Sequence, residues 1–168
     1  MAIDALVKPF LSLPLFRGLK PLQITEIVRR ADRIVFRSGD ALIREDQTGD
    51  AAILIISGEA VRMNGDAVER IPEGSMIGEL AMLVETIHTS TVMAKSSVRA
   101  LRLTRAEMHA AMRDDPTLAE HFSSQITARL KRLALELKSI DTALAEVSGL
   151  DRAMQQTAPL QSQPQLFH

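Results

Sequence analysis

The sequence predicts an α+β chain: an antiparallel, jelly-roll-like β-roll flanked by N-terminal helices and followed by a long C-terminal coiled-coil helix. Three observations lead there. Between Asp32 and Leu103, short β-branched runs alternate with glycine and asparagine turns; both ends of the chain carry helical periodicity; and from Ile126 onward apolar residues recur at heptad spacing.

Residues 3–30 hold short helical patterns broken at Pro9, Pro14, Gly18 and Pro21. Pro21 suits the first position of a helix, where its missing N–H has no partner to lose, and Leu22, Ile27 and Val28 give that helix an apolar stripe. The runs Ile34-Val35-Phe36, Ile53-Leu54-Ile55-Ile56, Val61-Arg62-Met63 and Thr91-Val92-Met93 read as strands, and Asn64-Gly65 is a hairpin signal. Several short strands at regular spacing close most simply into a roll. Thr104 then opens a helix with Glu107 as its capping-box partner, and Asp115-Pro116 restarts a second, longer one.

In that second helix Ile126, Leu130, Leu133, Leu137, Ile140, Leu144 and Val147 are spaced alternately four and three residues apart. Such a seam buries best against its own copy, so a homodimer through residues 126–147 is expected; packing of the same face on the chain's own roll is the alternative. Lys131, Arg132, Glu136, Lys138, Asp141 and Glu146 flank the seam and keep the helix soluble. Gly149 is expected to stop the helix, leaving a polar, proline-punctuated, disordered tail. The expected division is 1–115 for the roll and its flanking helices, 116–148 for the long helix, and 149–168 for the tail.

Composition narrows the function classes. A chain of 168 residues can bury a real core, and with five Phe and no Tyr or Trp that core must be aliphatic. Met63, Met76, Met82 and Met93 either fill it or line a pliable pocket. A net charge of −1 gives no footprint for sequence-independent binding to nucleic acid, and the absence of cysteine excludes disulfides and thiolate metal sites. Of His88, His109, His121 and His168 only the first falls within the roll, so no three-ligand metal site can be composed, and no Ser-His-acid grouping suggests a triad. The sequence therefore predicts neither a metal nor catalysis. Asp4, Lys8, Pro9 and Pro14 interrupt the apolar start, and no run approaches the ~20 residues of a membrane span, so a soluble cytoplasmic protein with no membrane partner is expected.

Residues 77–92 carry the chemistry. Gly78 permits a backbone conformation that other residues resist, and Glu79-Leu80-Ala81-Met82-Leu83 can form one helical turn whose free N–H groups point at an anion. Beside an anion Glu79 would be repelled unless a donor such as a sugar hydroxyl meets its oxygens. In isolation a Gly-Glu pair is also an ordinary helix start, where an acid complements the dipole.

This segment resembles the phosphate cassette of the cyclic-nucleotide-binding domain family. The resemblance extends to Ser38-Gly39-Asp40, Glu45, Gly49-Asp50 and the run from Ile53 to Gly58-Glu59, to Leu13-Pro14-Leu15-Phe16-Arg17-Gly18-Leu19 before them, and to Leu101-Arg102-Leu103-Thr104-Arg105 after them. It covers roughly residues 10–135. It implies that Gly78 and Glu79 hold a ribose, that the backbones of Leu80 and Ala81 donate to a phosphate, and that His88, Thr89 and Ser90 complete the ligand site. Thr89 and Ser90 are equally ordinary strand residues.

Two departures matter. Eleven residues before Arg99 the family usually has arginine, and here stands His88; Asp46 replaces a usual glycine. Losing one charge-assisted contact of about 1.5–3 kcal/mol weakens binding roughly ten- to a hundredfold. A bound phosphate favours protonated imidazole, so affinity is expected to rise as pH is lowered. The alternative is a solvent-facing His88 in a pocket that no longer takes phosphate.

The catabolite activator branch, which the region around Ser123, Gln125, Arg129 and Leu130 resembles, meets adenine through two hydroxyl residues further along the helix. The matching positions here are Leu133 and Ala134, which with Leu130 would form an apolar lid without choosing a base. cAMP is favoured slightly over cGMP by its wider use in the family. Relatives that regulate transcription follow this helix with a helix-turn-helix, and fewer than twenty polar residues follow it here, so direct DNA binding is not expected. The resulting expectation is a stand-alone sensor that binds a cyclic nucleotide and signals through an unidentified effector. A degenerate domain acting as a ligand-free dimeric interaction module is the alternative.

Overall fold

A computed structural model describes residues 3–156. Its elements run in the expected order, and every strand pair is antiparallel.

Helix α1, Ile3–Ser12, passes through Pro9 without ending there. Proline forfeits one backbone bond, and the burial of Leu6, Val7 and Phe10 holds the helix across it. A 3₁₀ turn at Pro14–Phe16 places Phe16 edge-on to Phe10, ring centroids 5.0 Å apart. Helix α2, Pro21–Arg30, buries Ile24, Ile27 and Val28. Leu22, expected in this stripe, is 72% exposed, because two residues before Ile24 is the far side of a helix.

The roll comprises β1 (Asp32–Phe36), β2 (Ala41–Ile43), β3 (Thr48–Gly49), β4 (Ala51–Ser57), β5 (Ala60–Asn64), β6 (Ala67–Ile71), β7 (Met76–Ile77), β8 (Thr86–Ile87), β9 (Thr91–Ala94) and β10 (Val98–Thr104). One sheet has the order β1-β10-β4-β7, the second β2-β9-β5-β6, and β3 pairs with β8 apart from both. Ile53, Ile55, Ile77, Val98 and Ala100 of the first sheet pack with Leu42, Ala60, Ile71, Val92 and Ala94 of the second to make the aliphatic core. The expected hairpin is present, but Asn64 stays in the ladder opposite Ala67, so the two-residue loop is Gly65-Asp66.

Helix α3, Arg105–Asp114, shows one half of the expected capping box: the Glu107 N–H donates to Thr104 Oγ1 at 3.2 Å, while the Glu107 carboxylate lies 3.6 Å from Arg30 Nη1. Helix α4 spans Pro116–Gln156. Asp115 precedes it, accepting from the Thr117 N–H at 3.0 Å and from Gln23 Nε2 of α2 at 2.9 Å. These bonds, the Thr117 side chain's foremost, hold the Asp115 carboxyl below the usual carboxylate range.

The chain divides into two compact units with the boundary between Ser124 and Gln125. This falls later than the expected 115–116, because Leu118 and Phe122 of α4 are buried in the first unit and the Phe122 ring meets Phe16 at 5.7 Å. In the second unit the helix continues through Gly149, where a stop was expected. A mid-helix glycine costs only about 1 kcal/mol, and Leu150, Arg152, Ala153 and Met154 are good helix formers. The expected tail is thus helical to Gln156, and its remainder, 157–168, lies outside the described residues.

Candidate functional site

Strand β7 pairs with β4, Ile77 opposite Ile53, and delivers the chain to Gly78. Gly78 has φ 66° and ψ 33°, the left-handed region that favours glycine. The chain then makes a 3₁₀ turn, Glu79–Met82, anchored by the buried Ala81, Met82 and Leu83. The carbonyl of Leu80 closes it, accepting from the N–H groups of Leu83 and Val84, both at 2.9 Å.

Which amides this turn leaves available can be read from its bonds. The N–H of Leu80 precedes the first turn bond, where a helical turn itself supplies no acceptor. The N–H of Ala81, expected to face a phosphate, instead donates to Gly78 O at 2.9 Å, because a 3₁₀ turn closes one residue sooner than an α-helix. Ala81 contributes its buried methyl. Glu79 is half-buried at the head of the turn.

The β3–β8 pair sets the position of His88. The His88 N–H donates to Gln47 O and the Asp46 N–H to His88 O, each at 2.9 Å. Asp46 takes a φ of 63°, the conformation natural to glycine, which aspartate tolerates better than most residues. The half-buried His88 ring is thereby wedged against two glycines. A Cβ on Gly49 would fall 2.7 Å from His88 Cε1 and 2.8 Å from Ala81 Cβ, and one on Gly78 would fall 3.3 Å from the same Cε1. His88, Gly78 and Ala81 thus meet at one point, and Gly49 joins them. Thr89 is exposed beside them and Ser90 is buried, so these two do not present alike.

Two residues at this place escaped the sequence reading of the site. Arg105, first in α3, donates through Nη1 to Gly49 O at 3.2 Å and Ala81 O at 3.4 Å. His109, one turn on, bonds through Nε2 to Leu83 O at 2.9 Å. A signal for the first was present: arginine opposes the dipole at a helix start, so its place there implies other work. Together they tie α3 to the turn. Leu130, Leu133 and Ala134, the expected lid, are exposed on the second unit.

Among the described residues no three His, Cys, Asp or Glu side chains cluster as metal ligands. No described helix is long and apolar enough to cross a membrane.

Residues 33–115 match the family model described as the cyclic nucleotide-binding domain. The chain is 36% identical over 95 residues to the cAMP-dependent protein kinase regulatory subunit of Aspergillus fumigatus, covering 55% of this chain and 23% of that protein. It is 27% identical over 122 residues to the potassium/sodium hyperpolarization-activated cyclic nucleotide-gated channel 3 of Mus musculus, covering 72% and 16%. It therefore spans less than a quarter of either relative. The N-terminal domain of a transcriptional regulator from Streptomyces coelicolor superposes with a TM-score of 0.65 at 21% identity, over 74% of this chain and 91% of that one. The Catabolite Activator Protein of Thermus thermophilus gives 0.58 at 24% identity, over 77% and 63%. Both share the fold.

Proposed function

Since this chain belongs to the cyclic nucleotide-binding domain family through residues 33–115, we propose that it is a regulatory sensor module that binds a cyclic nucleotide and signals through a partner protein. The observation that carries this reading is the turn itself: a left-handed Gly78 followed at once by Glu79 at the head of a 3₁₀ turn, with the Leu80 N–H next in line. Glu79 would accept from the ribose hydroxyl, the Leu80 N–H would donate to the phosphate, and His88 and Thr89 would close the anion side. Leu130, Leu133 and Ala134 would lie over the purine as an apolar lid. The kinase regulatory relative named for cAMP favours cAMP over cGMP. The role is regulatory rather than catalytic, and a soluble cytoplasmic setting suits it.

Output requires that the two positions of the lid helix differ in ligand affinity, since equal affinity shifts no population. Self-association of the exposed α4 seam, residues 126–147, offers a surface that changes with the lid. Two copies are the fewest that can cover it.

One observation favours a second reading, a ligand-free interaction module: the His88 ring already rests where Gly49 and Gly78 leave room. A thermal-shift series with cAMP, cGMP and linear AMP separates the two. A ligand at a hundredfold its Kd adds about 2.7 kcal/mol of stability. A rise with cAMP exceeding that with linear AMP supports the sensor, and no rise with any cyclic nucleotide at saturation leaves the module.

A further inference from the structure

On β5 and β6 the inner wall of the roll changes character within one step. Ala60 and Ile71 stand opposite each other and belong to the aliphatic core, with Val92 and Ala94 of β9 beside them. Side chains alternate between the two faces of a strand, so the next inner-face pair is Arg62 and Glu69, again opposite each other. Arg62 Nη1 donates to Glu69 Oε2 at 3.0 Å. A cross-strand ion pair that served the hairpin alone would gain as much on the outer face, which instead carries Val61, Met63 and Val68. The charges face inward and the apolar residues outward, the reverse of the usual pattern, and such reversals are expected at functional sites.

Register fixes where the pair lies. Ile77, the residue before Gly78, packs in the same core cluster as Ala60 and Ile71. From Ala60 to Arg62, β5 advances about 7 Å. It does so beside β9 running back from Ala94 to Val92, and so toward Ser90, Thr89 and His88. β7 leaves the core in the same direction, toward the start of β4, which follows Gly49. Arg62 and Glu69 therefore line the inner wall at the end where the Gly78 turn and His88 meet. Arg62 is half-buried and Glu69 exposed, so this stretch of wall is uncovered.

We infer that Arg62 and Glu69 read the purine of the bound nucleotide and select adenine over guanine, an assignment that rests on the cyclic-nucleotide reading of the Gly78 turn. With the phosphate on the Leu80 and His88 side and the ribose at Glu79, the base has this wall to lie against. Leu130, Leu133 and Ala134 carry no polar group with which to choose a base. Beyond their mutual bond, Arg62 keeps further N–H donors and Glu69 a second carboxylate oxygen, so the pair offers a donor beside an acceptor. Adenine offers the complement, an acceptor at N7 beside the N6 amino donor. Guanine offers acceptors at both N7 and O6, which sets O6 against the Glu69 carboxylate.

Calorimetric titration of cAMP and cGMP into the full chain and two variants tests this. The wild type should bind cAMP at least about fivefold more tightly than cGMP. Glu69→Gln, whose amide offers O6 a donor as readily as it offers N6 an acceptor, should bring the ratio close to one. Arg62→Ala should weaken both nucleotides and leave the ratio, because N7 is common to both bases. Cyclic IMP, which carries oxygen in place of the adenine amino group, gives the same reading on the unaltered chain and should bind as weakly as cGMP. A merely structural pair would lower the unfolding midpoint without moving any ratio. Cyclic IMP binding as tightly as cAMP, or a ratio unchanged in Glu69→Gln, overturns the inference and leaves the nucleotide site standing. Binding of no cyclic nucleotide by the wild type overturns the site and the inference together.

Discussion

The roll and the long helix use the same aliphatic residues to opposite ends. In the roll Ile55, Val92 and Val98 are fully buried within one chain, whereas on α4 Leu137, Ile140 and Leu144 are more than half exposed. The roll is thus complete alone: its two sheets cover each other and leave the Gly78 turn pinned between β7, β8 and α3. The helix is not, and its apolar area is worth stability only when something covers it. A pinned turn and an uncovered surface are what the proposed sensor would require.

The largest effect that sharpens this contrast is cavity formation. Ile55→Ala is expected to lower the urea-unfolding free energy of the first unit by about 2–5 kcal/mol. Leu137→Ala should change it by less than about 0.5 kcal/mol while lowering the assembled fraction in sedimentation. Equal effects of the two on that free energy would break the distinction.

Next is Gly78→Ala, which forces an L side chain into the left-handed region and against Ala51 O and the His88 ring. It should cost about 1–2 kcal/mol of stability, measured by denaturant midpoint, and abolish any cyclic-nucleotide response. Gly49→Ala leaves φ unstrained but meets His88 at 2.7 Å, so it should move that ring, visible as shifted imidazole resonances in NMR.

The smallest effect concerns the α2–α4 junction. The Asp115 carboxyl is held low by Thr117 and Gln23, so it stabilises the fold above the ordinary aspartate range; this contribution is lost as pH falls through its lowered value. Asp115→Asn should flatten the acid limb of stability against pH, with little change near neutrality.

The strands, the Thr104 cap and the Pro21 and Pro116 helix starts were legible in the sequence because each rests on a local rule of period or terminus. What was not legible is tertiary. Gly149 and Pro9 are local breakers overridden by the helix formers and buried neighbours around them. The donor direction of Ala81 depends on the turn closing as 3₁₀ rather than α, a choice that residue types do not encode. The lodging of His88 against Gly49 joins positions 39 residues apart in the chain, which only strand pairing reveals. For the same reason the bond of His109 to the end of the turn could not be read beforehand, although the residue is exposed as its helical position suggests.

The central claim is that the Gly78 turn is a working cyclic-nucleotide cradle weakened by one residue. Calorimetric titration of cAMP into the wild type and His88→Arg tests it most directly. Restoring a charge-assisted contact should tighten binding roughly ten- to a hundredfold over a measurable wild-type affinity. Absence of binding heat from both proteins, across temperatures that would reveal an enthalpy near zero, would contradict it.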